Sequence, residues 1–253
     1  MKRNRLLFAS ILVLLFFSCQ KEKELEVTEF HEKLLTRITE SRGNLVTVTS
    51  FSYDEKKRLS TIKKGDELTT YTYTGNQLTA ILSVEGTRKT FTELSYEDDC
   101  PKKGVSTIFE SGTLLRTLDY HLVTSLSGTE QINVTDKGVL TRRLYFQYDN
   151  SNITEILDLQ NRTLTTYDFR YGSKKNILFN ANIRWAMGIE KIDRMSTNEV
   201  LREISEVNSK KHIKSYVYTY DADLFPVTAI ITETDPPSIL ETKTTVTYTY
   251  EVL

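Results

Sequence analysis

The stretch FSYDEKKRLSTI, Phe51 to Ile62, decides how this chain is read, because its pattern returns in loosened form almost to the C-terminus. It runs aromatic, any residue, Tyr, a polar turn, then an aliphatic residue that opens the next extended segment. Later copies are YTYTGNQLTAI from Tyr71 to Ile81, FQYDNSNITEI from Phe146 to Ile156, FRYGSKKNIL from Phe169 to Leu178 and YTYDADLFPVTAI from Tyr218 to Ile230. Side chains alternate between the two faces of a strand, so both aromatics of each copy share one face and the residue between them takes the other. Asp, Asn and Gly at the bend supply the backbone conformations that a tight hairpin needs.

These copies resemble the YD (Rhs-like) repeats, and more closely the short bacterial lipoproteins of unknown function that carry a few degenerate copies. The matching pairs are Tyr53-Asp54, Tyr148-Asp149 and Tyr220-Asp221, followed by an aliphatic at Leu59, Ile153 or Val227, whereas the copies at Tyr73 and Tyr171 lack the Asp. The resemblance spans roughly 45–250 and implies a repeat architecture. It implies no activity, because fold and site are separable.

Working outward, the same alternation continues on both sides. Tyr71 and Tyr73 alternate with Thr70, Thr72 and Thr74, and Val246, Tyr248 and Tyr250 alternate with Thr245, Thr247 and Thr249. Bends at Gly65-Asp66, Gly75-Asn76, Glu85-Gly86, Ser111-Gly112, Ser127-Gly128 and Lys137-Gly138 recur at hairpin intervals. One apolar face and one hydroxyl-rich face describe an antiparallel sheet covered on one side only. The expected fold is therefore all-β, an antiparallel meander of many short hairpin strands forming a wide curved sheet: a half-barrel, an open barrel or a sandwich. Residues 28–42 combine helix-like spacing of Phe30, Leu34 and Leu35 with a strand-favouring Thr36 to Thr39, and read as an entry segment. Unless the last strand closes onto another, its edge offers backbone groups to a partner strand.

The insert at about 176–199 breaks the alternation. It holds the single Trp, Trp185, and Met187 and Met195, and its Ile183, Ala186, Met187 and Ile189 stand at spacings that suit one or two helical turns. Trp185, Met187, Met195 and Ile183 read first as a plug over apolar surface that the sheet leaves open; in the alternative they are ligand contacts on a lid over the concave face.

The N-terminus sets the cellular address. Lys2, Arg3 and Arg5 precede an uncharged run from Leu6 to Phe17. That run is too short to cross about 30 Å of hydrocarbon as a helix, so residues 1–18 read as a signal peptide. Leu15-Phe16-Phe17-Ser18-Cys19 resembles a lipobox, which implies diacylation of Cys19 and anchoring to a membrane. Residues 19–27 then form the lipidated Cys and a charged tether, and 28–253 a single domain. The Lys/acid pattern after Cys19 resembles export signals for the outer membrane, which implies surface display or, alternatively, the periplasmic face. Removing Lys2, Arg3 and Arg5 from the 33 Lys and Arg leaves 30 against 34 Asp and Glu, a net charge of −4. Without a basic surplus, nucleic acid is not an expected partner. Cys100 has no second thiol once Cys19 carries lipid, and reads as a turn residue.

Motifs for chemistry are sparse. His31, His121 and His212 lie far apart, no Gly-x-Ser-x-Gly is present, and no Gly-rich phosphate loop occurs. Glu97-Asp98-Asp99 and Asp221-Ala222-Asp223 are too short for a calcium loop, and acids at bends usually make the bend. No catalytic residue, metal or cofactor is expected. The expected function is a non-catalytic binding or structural module for a protein, peptide or glycan. The alternatives are a carrier of a lipid or other apolar ligand on the concave face and, less favoured, a carboxylate hydrolase.

Overall fold

The computed structural model describes residues 32–97, 100–125, 128–178, 196–238 and 240–253. Strands β1 Lys33–Arg42, β2 Leu45–Tyr53, β3 Leu59–Lys64 and β4 Glu67–Thr74 open the chain. They are followed by β5 Gln77–Glu85, β6 Arg88–Glu97, β7 Cys100–Glu110 and β8 Thr113–Ser125. The second half holds β9 Gly128–Asp136, β10 Val139–Asp149, β11 Asn152–Gln160 and β12 Thr163–Lys175. The last four are β13 Asn198–Val207, β14 Lys210–Tyr220, β15 Pro226–Thr234 and β16 Glu241–Val252. Each strand pairs antiparallel with the next, and β16 pairs with β1, so the sheet is a closed sixteen-stranded barrel.

This corrects the expected fold on two points. The sheet is not open: β1, expected only as an irregular entry segment, joins β16 through pairs such as Thr39 with Thr247 and Ser41 with Thr245. Among the described strands no edge therefore remains for strand addition by a partner. The short helical insert is also not found, since no helix occurs among the described residues; its core, 179–195, lies outside them. Cys100 is the first residue of β7, paired with Glu97 of β6, and is a free thiol.

The repeated Tyr earns its place through a bulge. At Tyr53, Tyr73, Tyr96, Tyr148, Tyr171 and Tyr220 the register with the following strand slips by one residue. Five of these phenols turn back to donate to a backbone carbonyl of the preceding strand. Tyr53 reaches Leu35 O at 2.8 Å, Tyr73 Leu59 O at 2.9 Å and Tyr96 Leu78 O at 2.8 Å. Tyr148 reaches Thr129 O at 2.9 Å and Tyr171 Ile153 O at 2.5 Å. A bulge bends its strand and sharpens the local twist, so a ladder of them along one rim helps the sheet to curl.

The Asp of the motif builds the turn. Asp54 Oδ1 accepts from the backbone N–H groups of Lys56 and Arg58, and Asp221 Oδ1 accepts from those of Asp223 and Phe225, so the two five-residue loops share one design. Lys57 and Leu224 occupy the matching positive-φ position in each. Opposite this rim the hairpins are mostly two-residue turns; Asn161-Arg162 and Asn208-Ser209 have positive φ at both residues, as a type I′ turn requires.

Register and burial together fix which face lies inside. On β10 Leu144 and Phe146 are buried while Arg143, Tyr145 and Gln147 take the other face. Because the barrel is closed, the buried face is the lumen. Two apolar clusters line opposite walls: Leu35, Ile38, Phe51, Tyr71, Val246 and Tyr248 with their neighbours on one, and Leu122, Ile132, Leu144, Phe146, Ile156 and Phe169 on the other. The outer face is mixed, with exposed aliphatics such as Val48, Leu68, Leu82, Val105, Val217 and Ile230 set among polar residues. At mid-strand it carries Glu93, Asp119, Arg143, Glu155, Asp168 and Arg202, with Thr245, Thr247 and Thr249 along β16.

Candidate functional site

The lumen is not filled everywhere. Between β13, β14, β15, β16, β1 and β2 lies a cavity of about 360 Å³, within the size range of small-molecule sites. Period-two alternation places its wall: Lys214, Tyr216, Tyr218 and Tyr220 share the inner face of β14, and Thr244, Val246 and Tyr248 share that of β16. Ile38 of β1, Ile231 of β15 and Val200 of β13 complete an apolar and aromatic middle zone.

Aromatic rings set the shape of that zone. Tyr216 and Tyr218 lie parallel, 6.1 Å between centroids and 5° between planes, and Tyr218 stands 6.5 Å from Tyr248. Burial pushes the Tyr218 phenol far above its ordinary range, so it stays neutral. Tyr216 donates weakly to Glu203 Oε2 at 3.4 Å.

Charges mark the two ends. At the mouth, Glu233 faces Arg42 at 3.5 Å, Lys214 at 3.8 Å and His212 at 3.9 Å, and Glu40 faces Lys64 at 3.6 Å. At the inner end sits Glu199, only 3 % exposed. Its Oε1 accepts from the Tyr220 phenol at 3.0 Å, while its Oε2 has no hydrogen-bond partner. Burial raises the Glu199 carboxyl above the usual carboxylate range, against the pull of the Tyr220 hydrogen bond, backbone N–H groups and nearby Lys174. The Tyr220 phenol is in turn pushed up to about 12 by burial and by this carboxylate. Gly172 makes room: a Cβ there would overlap Glu199 Oε1, so the carboxylate would have to shift.

The residues singled out from the sequence, Ile183, Trp185, Met187 and Met195, lie outside the described residues, as does Cys19. The two stems of their segment are described, and both dock on the barrel. Leu178 is buried in the first apolar cluster, and Ser196 Oγ donates to the Tyr171 hydroxyl at 2.7 Å and accepts from Ile153 N at 3.1 Å. Asn152, Asn176 and Asn198 stitch the stems together. Asn176 and Ile177 reach the cavity wall, so this segment borders the site. Asp221 and Asp223, weighed as metal ligands, instead clamp Lys33 Nζ at 2.7 and 2.5 Å and tie β1 to the β14–β15 loop.

Glu199, Glu203, Tyr216, Tyr218 and Tyr248 were not singled out from the sequence. The usable signal was a charge on the greasy face: Glu203 and Lys214 sit in phase with inward residues, which in a barrel means a wet or ligand-facing wall.

A second depression, roughly 650 Å³, lies over the β3–β4 and β5–β6 turns among Lys64, Glu67, Glu85 and Arg88. It is open and lacks an apolar wall, so it has little with which to hold an organic ligand.

The chain matches no family model and no curated protein. Among solved structures it is similar to a porin-like protein from Bacteroides uniformis, with 14 % identity, a TM-score of 0.59, and coverage of 85 % of this chain and 96 % of that one. A porin-like protein from Bacteroides vulgatus gives 11 % identity, a TM-score of 0.53, and coverage of 88 % and 100 %. At these identities the likeness shows the barrel fold alone.

Proposed function

We propose that this protein is a non-catalytic binding barrel, tethered to the outer membrane through lipid on Cys19, that stands in water and holds a small amphiphile in its lumen. The polarity of the wall carries this reading. A barrel that crosses a bilayer turns apolar residues outward and polar ones inward, and an Arg or Lys on its lipid face costs about 2–4 kcal/mol at the midplane. Here Arg143, Glu155, Asp168 and Arg202 face out at mid-strand, among exposed aliphatics such as Leu82, Val217 and Ile230, while Leu144, Phe146, Tyr218 and Tyr248 face in. Such a wall favours water outside and an apolar guest inside over an ion-conducting pore. The partner is then a small molecule in the lumen rather than a protein or peptide added at a sheet edge, because the barrel closes.

The test has two arms. The chain from Gln20 onward, purified without detergent, should be soluble and monodisperse and give no conductance across planar bilayers. The full chain should fractionate with membranes and shift to the soluble fraction on Cys19→Ala. A need for detergent, or channel activity, overturns the reading.

A further inference from the structure

Resting on the lumen-binding reading above, we infer that the cavity takes a ligand bearing a protonated amine, with the Glu199 carboxylate as its counter-ion and Tyr216, Tyr218 and Tyr248 as the wall beside it. The cavity lining carries four acids, Glu40, Glu199, Glu203 and Glu233, against two bases, Arg42 and Lys214. Both bases are engaged at the mouth by Glu233. Glu199 and Glu203 of β13 are the remaining acids of the lining, and Lys174 of β12 acts on Glu199 from beside it.

Glu199 is the informative member. A carboxylate oxygen that is buried and unpaired is costly, and natural sites remove that cost with a proton or a cation. Tyr220 fixes one oxygen and leaves the other, Oε2, with no partner. Lys174 of β12 favours this carboxylate through its charge and its backbone N–H, and Oε2 still has no hydrogen-bond partner. Lys175 Nζ lies 4.6 Å over the Phe225 ring. An ammonium has three donors and no acceptor, and so matches an orphan carboxylate oxygen.

The wall fits the same guest. Neutral aromatic rings attract cations to their faces, and a wall of several tyrosines beside a carboxylate is the usual way to hold an alkylammonium out of water. An anionic head group would meet the opposite field there. The aliphatic residues Ile38, Ile231 and Val246 would take the apolar part of the ligand.

The experiment uses the chain from Gln20 onward and three probes that share one alkyl chain: decylamine, decanol and decanoate, titrated by calorimetry near neutral pH below micelle formation. Decylamine should bind more tightly than decanol by about tenfold or more, as a charge-assisted hydrogen bond to a buried partner provides. Decanoate should be the weakest. Glu199→Gln, of the same size and uncharged, should erase the gap between amine and alcohol. The series on the unaltered chain reads the preference without any substitution. Equal binding of all three, or a preference for decanoate, overturns the assignment of the amine and leaves the lumen reading standing. Binding of none of the three overturns both.

Discussion

Two tyrosines at matching positions on the bulged rim should respond with opposite sign to loss of the same hydroxyl. In Tyr53→Phe the lost bond is the 2.8 Å donation to Leu35 O, beside a residue that is only 1 % exposed. Removing it should cost about 1–2 kcal/mol, the net hydrogen bond plus part of the penalty for a buried acceptor left short. Tyr250 stands at the corresponding place on β16, 5.4 Å from the Phe225 ring, and its hydroxyl is buried with no partner. Tyr250→Phe removes a desolvated polar group that has no hydrogen bond to lose, and should stabilise by about 1 kcal/mol. Equilibrium urea unfolding of the chain from Gln20 onward, followed by far-ultraviolet circular dichroism, separates the two. With a slope of about 3 kcal/mol/M, the midpoint should fall by roughly 0.5 M in Tyr53→Phe and rise by roughly 0.3 M in Tyr250→Phe. Equal losses in both variants would show that the hydroxyls contribute by packing alone, and the ladder would lose its energetic meaning.

The polarity of the outer wall and the state of Glu199 each give a further expectation. Val217, 67 % exposed on the outer face of β14, should accept Lys with a change within about 0.5 kcal/mol by the same unfolding assay, as an aqueous surface does; a loss of several kcal/mol would place that face against lipid or protein. Glu199→Gln should stabilise the barrel at neutral pH, because it removes a buried charge. A carboxyl whose folded-state pKa lies above its unfolded value holds its proton more tightly when folded, so the unaltered chain gains stability as pH falls through the folded pKa. The advantage of Glu199→Gln is therefore present at neutral pH and should vanish below the unfolded carboxylate range, and an advantage independent of pH would contradict it.

Most of the hairpins were legible because each is a local matter. Gly75-Asn76 and Lys137-Gly138 declare their turns, and Thr70, Thr72 and Thr74 against Tyr71 and Tyr73 declare which residues share a face. Closure was not legible, since it depends on Ile38 to Ser41 finding Tyr248 to Thr245 about two hundred residues away, and no local pattern encodes that pairing. β1 was also obscured by Leu34 and Leu35, adjacent apolar residues that mimic a helical face but are both buried, with the register slipping between Leu35 and Arg37. Sequence named Tyr53 and Tyr73 as core residues without showing why Tyr rather than Phe stands there; the reason is a carbonyl on the preceding strand. The cavity stayed hidden for the same cause as the closure. Glu199 and Tyr220 lie on neighbouring strands, and only the fold shows that they meet over Gly172.

Strand count and the direction of curl together decide what kind of barrel results. An antiparallel meander can close on itself with uniform antiparallel pairing only when the number of strands is even, because only then do the first and last run in opposite directions. Sixteen strands meet that condition, and the Lys33 clamp on Asp221 and Asp223 braces β1 against the β14–β15 loop next to the closing seam. The same sheet could curl either way. Curled with its aromatic face outward it would need lipid, and Arg143, Glu155 and Asp168 would line a wet channel. The bulges at Tyr53, Tyr73, Tyr96, Tyr148 and Tyr171 instead aim each phenol at a backbone carbonyl on the buried side, which commits the aromatic face to the interior. The sheet therefore closes with its aromatic face inward, and its two apolar clusters line the lumen.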